Sequence, residues 1–364
     1  MLRRIVASFL AGFLVLAAPS ALAQTRREIR FPDIPGYRTL KCDFHVHTVF
    51  SDGVVWPTVR VDEAWRLGLD AIAITDHVEY QPHKDDLPTR HNRSYELAEG
   101  RARERDIILV RGAEITRDTP PGHFNAIFLA DVEALATEDL LEVFRRANAQ
   151  GAFVFWNHHE WKGPELGIWT DFHTTVWEKK WLQGIELANG PTYYPQAHRW
   201  SAEKGLVLVG NSDIHDPDLS ERSTPESHRT LTLAFAKERT LAALKDAVFA
   251  GRTAVWYQNQ VIGSEEWLAP LFRASVRVQA PHLRASSAVF AKVANDCDLD
   301  LELERRGALG PAAILLRARS VTLLKVGTAE PKKTLALEYA AKNLVVGPDG
   351  AALAVRLEIP GESP

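Results

Sequence analysis

Two histidines stand one residue apart in the segment CDFHVHTVFSDG, which covers residues 42–53. His45 and His47 lie at positions i and i+2, and such positions point to the same side of an extended strand. Asp52 follows five residues later. Imidazole nitrogens and carboxylate oxygens suit divalent ions such as zinc, manganese and iron(II). The spacing therefore predicts that His45 and His47 bind one ion together, with Asp52 nearby.

Five further segments place ligand-type side chains at the ends of short apolar runs. They are Asp76 and His77 in ITDH, Glu114 in GAE, His123 in PGHF, His158 and His159 in WNHHE, and Asp213 and His215 in NSDIH. Cysteine is absent from this set, which excludes a structural thiolate zinc site. One ion cannot use so many ligands. Because a carboxylate such as Glu114 can bridge two metals, two or three ions would use them all.

The elements that must position these side chains alternate between strands and helices. Short apolar runs predict strands at 39–44, 71–75, 107–111, 123–129, 152–156, 184–187, 206–209 and 229–233. Helical periodicity covers 58–67, 93–105, 133–149, 196–204 and 238–249. Strands buried on both faces and alternating with helices favour a parallel α/β arrangement, and about seven such units favour a closed barrel. In such barrels the chemistry lies in the loops that follow the strands.

The two ends of the chain predict separate segments. Residues 1–23 begin with Arg3 and Arg4, continue as an apolar run and end in Ala21-Leu22-Ala23, which is typical of a secretory signal peptide cleaved near Ala23-Gln24. We therefore expect a periplasmic or secreted protein with no stable membrane insertion after cleavage. Residues 24–37 form a lead-in, residues 38–264 the α/β domain and residues 265–364 a small β-rich domain, of which residues 270–364 lack helical signatures. Cys42 and Cys297 are expected to be free thiols.

Charge says little about a macromolecular partner. The formal net charge is −4 at pH 7, and no basic stripe is present. Nucleic-acid-binding domains usually carry such a stripe. We therefore expect a small-molecule substrate and no nucleic acid.

The motifs HxH at 45–47, TDH at 75–77, Glu114, His123, His158 and DxH at 213–215 resemble those of the PHP (polymerase and histidinol phosphatase) family. The resemblance covers roughly residues 38–255 and implies a distorted (β/α)7 barrel with a trinuclear metal centre. It also implies three ligand sets: His45, His47, Glu114 and Asp213 for one ion; Glu114, His123 and His158 for a second; Asp52, His77 and His215 for a third. Some members of the family have histidine where Asp52 stands. His158 is preferred to His159 because the family has Asn-His at this position.

The longer segments CDFHVHTVFSDG, VWPTVRVDEA, AITDHVEY and HNRSYE resemble a secreted PHP subgroup that includes phosphodiesterases acting on small organophosphate diesters. This implies hydrolysis of phosphate or phosphonate diesters by a hydroxide held on two to three zinc, manganese or iron ions. Asp213, Glu114 and His215 are the expected catalytic residues, with Asp213 taking the proton of the attacking water. His215, His83 and Tyr80 are alternative general acids for the leaving group. Asp76 is expected to orient a ligand histidine.

Substrate contacts and the reaction type remain open at this point. Arg93, Lys162, Tyr80 and His83 are the expected substrate-binding residues, although Arg93 and Lys162 are equally well explained as surface charges. Five tryptophans that lie close together in sequence would either line an apolar pocket or pack in the core: Trp156, Trp161, Trp169, Trp177 and Trp181. The alternatives to a phosphodiesterase are a phosphomonoesterase, a metal-dependent amidohydrolase, or a binding protein with an inactive site.

Overall fold

The computed structural model describes residues 25–220 and 228–362 of the 364-residue chain. The predicted signal peptide, residues 1–23, lies outside the described residues. The strands are β1 (Arg38–Val46), β2 (Ala71–Ile74), β3 (Ile108–Ile115), β4 (Phe124–Ile127), β5 (Phe153–Trp156), β6 (Gly184–Asn189), β7 (Thr192–Tyr193), β8 (Val207–Asn211), β9 (Leu231–Ala236), β10 (Thr253–Tyr257), β11 (Gln260–Gly263), β12 (Val276–Val278), β13 (Leu283–Arg284), β14 (Ala288–Asn295), β15 (Leu301–Arg305), β16 (Ala313–Leu316), β17 (Ser320–Gly327), β18 (Leu335–Val345) and β19 (Ala352–Ile359). The helices are α1 (Pro57–Leu67), α2 (Arg93–Arg105), α3 (Leu140–Ala149), α4 (Asp171–Glu178), α5 (Pro195–Lys204), α6 (Leu241–Phe249) and α7 (Glu265–Ser275), with a 3-10 helix at Glu133–Leu135.

One curved sheet positions the ligand-bearing segments. Strands β9, β1, β2, β3, β4, β5 and β6 are neighbours in that order, and β8 pairs with β6. The chain after β8 returns to β1, because Val46 and Ile214 form an isolated parallel bridge. The ends of β1 and β8 therefore meet, although no continuous ladder joins these two strands within the described residues.

The mixed α/β fold is confirmed, but the uniformly parallel arrangement is wrong. Strand β4 runs antiparallel to β3 and β5, and β9 runs antiparallel to β1. No helix separates β3 from β4, and parallel neighbours need a crossover connection of a dozen or more residues. A complete barrel of seven βα units stays a prediction.

The local sequence explains why the ligand-bearing elements form where they do. Strands β2 (AIAI) and β5 (FVFW) are apolar throughout and buried throughout, as expected when both faces of a sheet are covered. Helix α1 begins with Pro57 in its first turn and ends at Gly68, whose left-handed backbone caps the last carbonyls. It packs beside the end of β1 and the chain that follows β8.

The C-terminal strands continue the large sheet and add a second one. Strand β11 pairs in parallel with β18, so Val261 lies opposite Leu344, and β14 pairs with β12, β13 and β17 in a four-stranded sheet. Helix α7 at the junction was not predicted from sequence. Both cysteines are buried free thiols in the described structure, as expected. Of the helices in residues 25–220 and 228–362, none has the length and apolar character needed to cross a membrane.

Candidate metal centre

The structure gathers the nine predicted metal ligands into one cluster. Three groups of residues can be formed in which the potential ligand atoms of each group lie within 4.8 Å of one another. They are His45, His47, Glu114 and Asp213; His47, Asp52, His77 and His215; and His77, Glu114 and His123. The ninth residue, His158, places Nε2 3.2 Å from Glu114 Oε1. These groups overlap closely with the three ligand sets that the family resemblance implies.

Glu114 lies at the centre of the cluster. Its Oε2 is 3.1 Å from Nε2 of both His45 and His47, and its Oε1 is 2.9 Å from His123 Nδ1. The side chain is fully buried at the end of β3. The two oxygens of this carboxylate contact different imidazoles, which suits a residue that would bind two ions.

Hydrogen bonds fix which nitrogen of each ring faces the cluster. Glu186 Oε1 lies 2.9 Å from His45 Nδ1, and Ser51 Oγ lies 3.1 Å from His47 Nδ1. Because these partners take up Nδ1, the lone pair on Nε2 of each ring faces the other ligands. Glu186 was not predicted. It lies inside the apolar run GIELAN of β6, where no motif or loop distinguishes it.

Asp76 acts on a ligand histidine through an intermediate hydroxyl. Ser51 Oγ donates its proton to Asp76 Oδ1 at 2.9 Å, so Ser51 Oγ is left to accept the Nδ1 proton of His47. The backbone N–H of Thr48 also donates to Asp76, at 2.7 Å. Asp76 therefore orients His47 by fixing the loop after β1, which refines the predicted orienting role.

Asp213 and His215 reach the cluster by a turn and not by strand alternation. Strand β8 ends at Asn211, and Asp213 has a left-handed backbone with φ of 53°. Its N–H donates to His45 O at 2.9 Å, and its carbonyl lies 2.8 Å from His215 Nδ1. Aspartate tolerates this conformation better than most residues. The DxH motif at 213–215 thus reaches the cluster through a turn after β8.

The loop that carries Asp52 depends on a close backbone approach at Gly53. A Cβ atom at this position would lie 2.8 Å from the carbonyl carbon of His47. Only glycine fits without displacing the loop. Asp52 Oδ1 consequently lies 3.2 Å from His215 Nε2 and 3.5 Å from His77 Nε2.

The acids and imidazoles shift one another's proton affinities. Burial alone would raise the pKa of Glu114, but His77 and His45 hold it well below its ordinary value. Burial likewise opposes a charged His45, but Asp213, Glu114 and Glu186 raise its pKa well above its ordinary value. Burial dominates at His123, whose pKa is lowered. The cluster thus keeps its carboxylates ionised, which is the state that binds metal ions.

The hydrogen bonding of the cluster, which is independent of the sequence motifs, also indicates that these residues fit divalent ions. Asp52 Oδ1 and Asp213 Oδ1 are buried oxygens without a hydrogen-bond partner among the described residues. Nε2 of His45 and Nε2 of His47 face each other at 3.0 Å, although both nitrogens present lone pairs when Nδ1 holds the proton. Carboxylate oxygens and imidazole nitrogens that converge in this way need positive charge between them, which protons supply in the metal-free cluster and divalent ions would supply when bound. Neutral imidazoles and carboxylates together suit zinc, manganese or iron(II).

The two adjacent histidines that follow β5 make different contacts. His158 faces Glu114, whereas His159 packs against Trp156, Tyr194 and Trp200. Burial lowers the pKa of His159 to about 3, so this ring is neutral. The structure therefore favours His158 as the residue that faces the ions.

A cavity of about 1450 Å³ opens above the cluster. Its lining includes the predicted residues Tyr80 and Lys162, together with Trp161, Arg117 and Tyr194. Trp161 and Tyr80 are about half exposed and flank the cluster, with ring centroids 5.2 Å from His123 and 5.9 Å from His77, respectively.

Two predicted substrate contacts lie elsewhere. Arg93 and His83 are not among the residues that line the cavity. Arg93 begins α2 and pairs with Glu96 at 3.1 Å. Of the five clustered tryptophans, only Trp161 lines the cavity, and the others pack in or against the core. Arg117 was missed because it belongs to no recognisable motif.

Comparison with known proteins agrees with the fold and the cluster. A family described as an Ig-like domain matches residues 276–357, which covers the C-terminal strands from β12 onwards. A solved two-domain protein from Bacteroides vulgatus, which contains a predicted PHP-like metal-dependent phosphoesterase, is 41% identical to this chain with a TM-score of 0.87. That similarity covers 93% of this chain and 100% of the Bacteroides chain. An uncharacterized protein, MJ1295, from Methanocaldococcus jannaschii is 38% identical over 81 residues, which span 36% of its length.

These findings define a mixed α/β domain with a histidine- and carboxylate-rich centre, joined to an Ig-like domain. The chain belongs to the PHP family of metal-dependent phosphoesterases.

Proposed function

We propose that this protein is an exported metal-dependent phosphodiesterase that hydrolyses small phosphate or phosphonate diesters at a trinuclear centre. Its membership of the PHP family supports hydrolysis of a phosphoric ester. The choice of a diester rests on the cavity, and the choice of export rests on residues 1–23 of the sequence. Hydrolysis of phosphate esters outside the cytoplasm would let the cell scavenge the phosphate that is released.

The cavity favours a substrate with organic groups on two sides of phosphorus. Tyr80 lies on one flank of the cluster and Trp161 on another, and both rings are about half exposed. Such rings offer apolar contact to two ester groups, and a monoester has only one.

The charged side chains that line the cavity also favour a diester substrate. Arg117 pairs with Glu79, and Lys162 Nζ lies 3.2 Å from Asp118 Oδ1. The two cationic side chains of the described lining are thus already paired. A monoester carries close to two negative charges near neutral pH, whereas a diester carries one. The lining therefore provides little additional attraction for a dianion beyond that of the metal centre.

Three ligand groups would hold the ions: His45, His47, Glu114 and Asp213; Glu114, His123 and His158; Asp52, His77 and His215. When bound, the ions lower the pKa of water and offset negative charge on the phosphoryl oxygens. Asp213 lines the cavity, and its Oδ2 accepts a hydrogen bond from Asn189 Nδ2 at 3.3 Å. We assign to Asp213 the acceptance of the proton from the attacking water.

The reaction forms one P–O bond to the water oxygen and breaks the P–O bond to the leaving alcohol. The leaving oxygen needs a proton unless it is a good leaving group. His215 and Tyr80 both line the cavity and are the two candidate general acids. Tyr80 is available for this role when His215 binds the third ion. His83 is the less suitable third choice, because it does not line the cavity.

The test combines metal content with activity on bis(p-nitrophenyl) phosphate and p-nitrophenyl phosphate. It uses wild-type protein, His45→Ala and the matched control His282→Ala, whose histidine is exposed in the C-terminal half. We expect two to three ions per chain, a preference for the diester, and loss of both metal and activity only in His45→Ala. Preference for the monoester would identify a phosphomonoesterase. Full metal content with neither activity would refute the phosphorus chemistry and direct the search to amide and lactone substrates.

Export is tested separately. Expression in a Gram-negative host should yield periplasmic protein that begins near Gln24. Recovery of full-length protein in the cytoplasm or in the membrane would refute this part of the proposal.

A further inference from the structure

Arg60 is a fully buried cation that binds backbone carbonyls. It lies on α1, and its side chain has no exposed surface. Its guanidinium donates to five acceptors: Nε to His47 O at 2.8 Å, Nη1 to Glu63 Oε2 and Asp216 O at 2.8 Å each, and Nη2 to Ile214 O at 3.2 Å and His215 O at 2.5 Å. Four of these acceptors are main-chain oxygens.

The carbonyls belong to the two chain segments that close the metal cluster. One is the end of β1 at His47, and the other is residues 214–216 after β8. The second segment also receives the N–H of Val54, which donates to His215 O at 3.1 Å. Val54 follows Asp52 by two residues, so the loop of Asp52 and the backbone of His215 are tied together. Arg60 therefore joins the end of β1 to residues 214–216 directly, and it reaches the Asp52 loop only through the carbonyl of His215.

Two further residues of helix α1 bind the chain after β8 at positions farther from the cluster. Glu63 Oε1 accepts the N–H of Asp218 at 2.8 Å, and Arg66 Nη1 donates to Ser220 O at 2.9 Å. Residues 60, 63 and 66 are three apart and therefore share one helix face. Arg60 is the member of this row that reaches the ligand-bearing backbone, and Arg66 reaches only its periphery.

A shorter or less branched side chain could not replace Arg60. Its planar fork of five N–H donors satisfies carbonyls that converge from different directions, and lysine has three donors on one nitrogen. Buried carbonyls that lose their donors are left unsatisfied or must move toward water. Movement of residues 214–216 would displace His215 from Asp52, to which its Nε2 now lies at 3.2 Å.

We propose that Arg60 is a positioning residue for one metal subsite, the one formed by Asp52, His77 and His215. It holds His215 and the Asp52 loop in register with His47, and in this way it decides whether that subsite is filled. The ligands centred on Glu114 receive their support from other elements, such as Glu186 on β6. The inference rests on the proposed metal centre and not on the identity of the substrate.

The test measures metal binding without reference to activity. Metal-free wild-type protein, Arg60→Lys and the control Arg66→Lys are titrated with Mn²⁺ or Zn²⁺ by calorimetry, and bound metal is counted after dialysis. We expect Arg60→Lys to lose one equivalent or to bind it 10- to 100-fold more weakly, the range typical for the loss of a residue that orients metal ligands. The other equivalents should keep their affinity, and Arg66→Lys should bind as wild type does.

A double variant locates the affected equivalent. His215→Ala should remove one equivalent, and Arg60→Lys combined with His215→Ala should remove no more than His215→Ala alone. Additive losses, equal weakening of every equivalent, or unchanged binding in Arg60→Lys would each overturn the proposal. Tighter binding in Arg60→Gln would also overturn it, because repulsion between the guanidinium and the ion would then outweigh positioning.

A folding defect has a separate readout. If circular dichroism shows that Arg60→Lys is unfolded, Glu63→Gln replaces it, since it weakens the partner of Arg60 and keeps the shape of the side chain. Glu63→Gln should lower the affinity of the same single equivalent, and unchanged affinity would count against the proposal. A wild-type protein that binds metal but cleaves no diester would refute the proposed substrate and leave this inference standing.

Discussion

Glu186 Oε1 lies 2.9 Å from His45 Nδ1, and both side chains are completely buried. The same carboxylate accepts the N–H of His158 at 3.0 Å and the side-chain amide of Asn211 at 2.9 Å. One residue of β6 therefore holds ligand-bearing segments of β1, β5 and β8. No metal-binding pattern in the sequence marks it, and yet it fixes the proton of His45 on the nitrogen that faces away from the cluster.

Replacement of Glu186 by glutamine should weaken metal binding without removing a ligand. The amide can accept one hydrogen bond from His45 but carries no charge to make Nε2 more basic, so we expect a loss of affinity of about 10- to 100-fold. Dialysis followed by metal analysis measures this. Glu203→Gln, an exposed change on α5, is the control and should bind as wild type does. Equal affinity in the two variants would contradict the orienting role.

His158→Ala and His159→Ala form a matched pair on adjacent residues. His158→Ala should lower metal content and abolish hydrolysis, because this ring faces Glu114. His159→Ala should keep its metal but lower the free energy of unfolding by about 2 kcal/mol, because it leaves a space among Trp156, Tyr194 and Trp200. Metal analysis and denaturant unfolding distinguish the two effects. The opposite pattern would show that His159 is the ligand.

Tyr80→Ala and Tyr80→Phe separate the ring of Tyr80 from its hydroxyl. The ring borders the cavity and is 52% exposed, so its removal should raise KM for an aryl diester about 10-fold, or ~1.4 kcal/mol of apolar contact. Tyr80→Phe should retain the wild-type KM. If Tyr80→Phe instead lowers kcat for diesters with alkyl leaving groups but not for nitrophenyl esters, the hydroxyl is the general acid.

His173 should make the protein less stable as the pH falls. Burial lowers its pKa to about 3, against about 6.5 in an unfolded chain. Between these values the unfolded chain binds a proton that the folded chain refuses, so the free energy of unfolding falls as pH decreases, by at most about 1.4 kcal/mol per pH unit. Above pH 6.5 this group has no effect, because both states are neutral.

Denaturant unfolding of metal-free protein between pH 7 and pH 4 measures this slope. His173→Gln should show a shallower fall than wild type, because glutamine does not titrate and can still donate to Pro121 O, which His173 Nε2 now contacts at 3.0 Å. His282→Gln, at an exposed position, should match the wild-type slope. Identical slopes in all three proteins would show that His173 is protonated in the folded state near pH 6.

The core of the site could be predicted because its ligands follow strands. His45, His77, Glu114, His158 and Asp213 each lie at or just beyond the end of an apolar run, and the ends of neighbouring strands meet at one edge of a sheet. Chemistry limited the residue types to imidazole and carboxylate. Both constraints act along the chain, so they are visible in a single sequence.

Tertiary structure alone decided the contacts between segments that are far apart in sequence. Glu186 reaches His45 across 141 residues, and Arg60 reaches the carbonyl of His215 across 155. A buried glutamate inside an apolar strand and an arginine on a helix are common in any chain, and their roles depend on which groups packing brings within hydrogen-bond distance. Tertiary structure also decided strand direction. Strands β4 and β9 have ordinary strand sequences, and only their pairing partners show that they run antiparallel. The sequence thus determined the chemistry of the centre, and packing determined how its ligands are held.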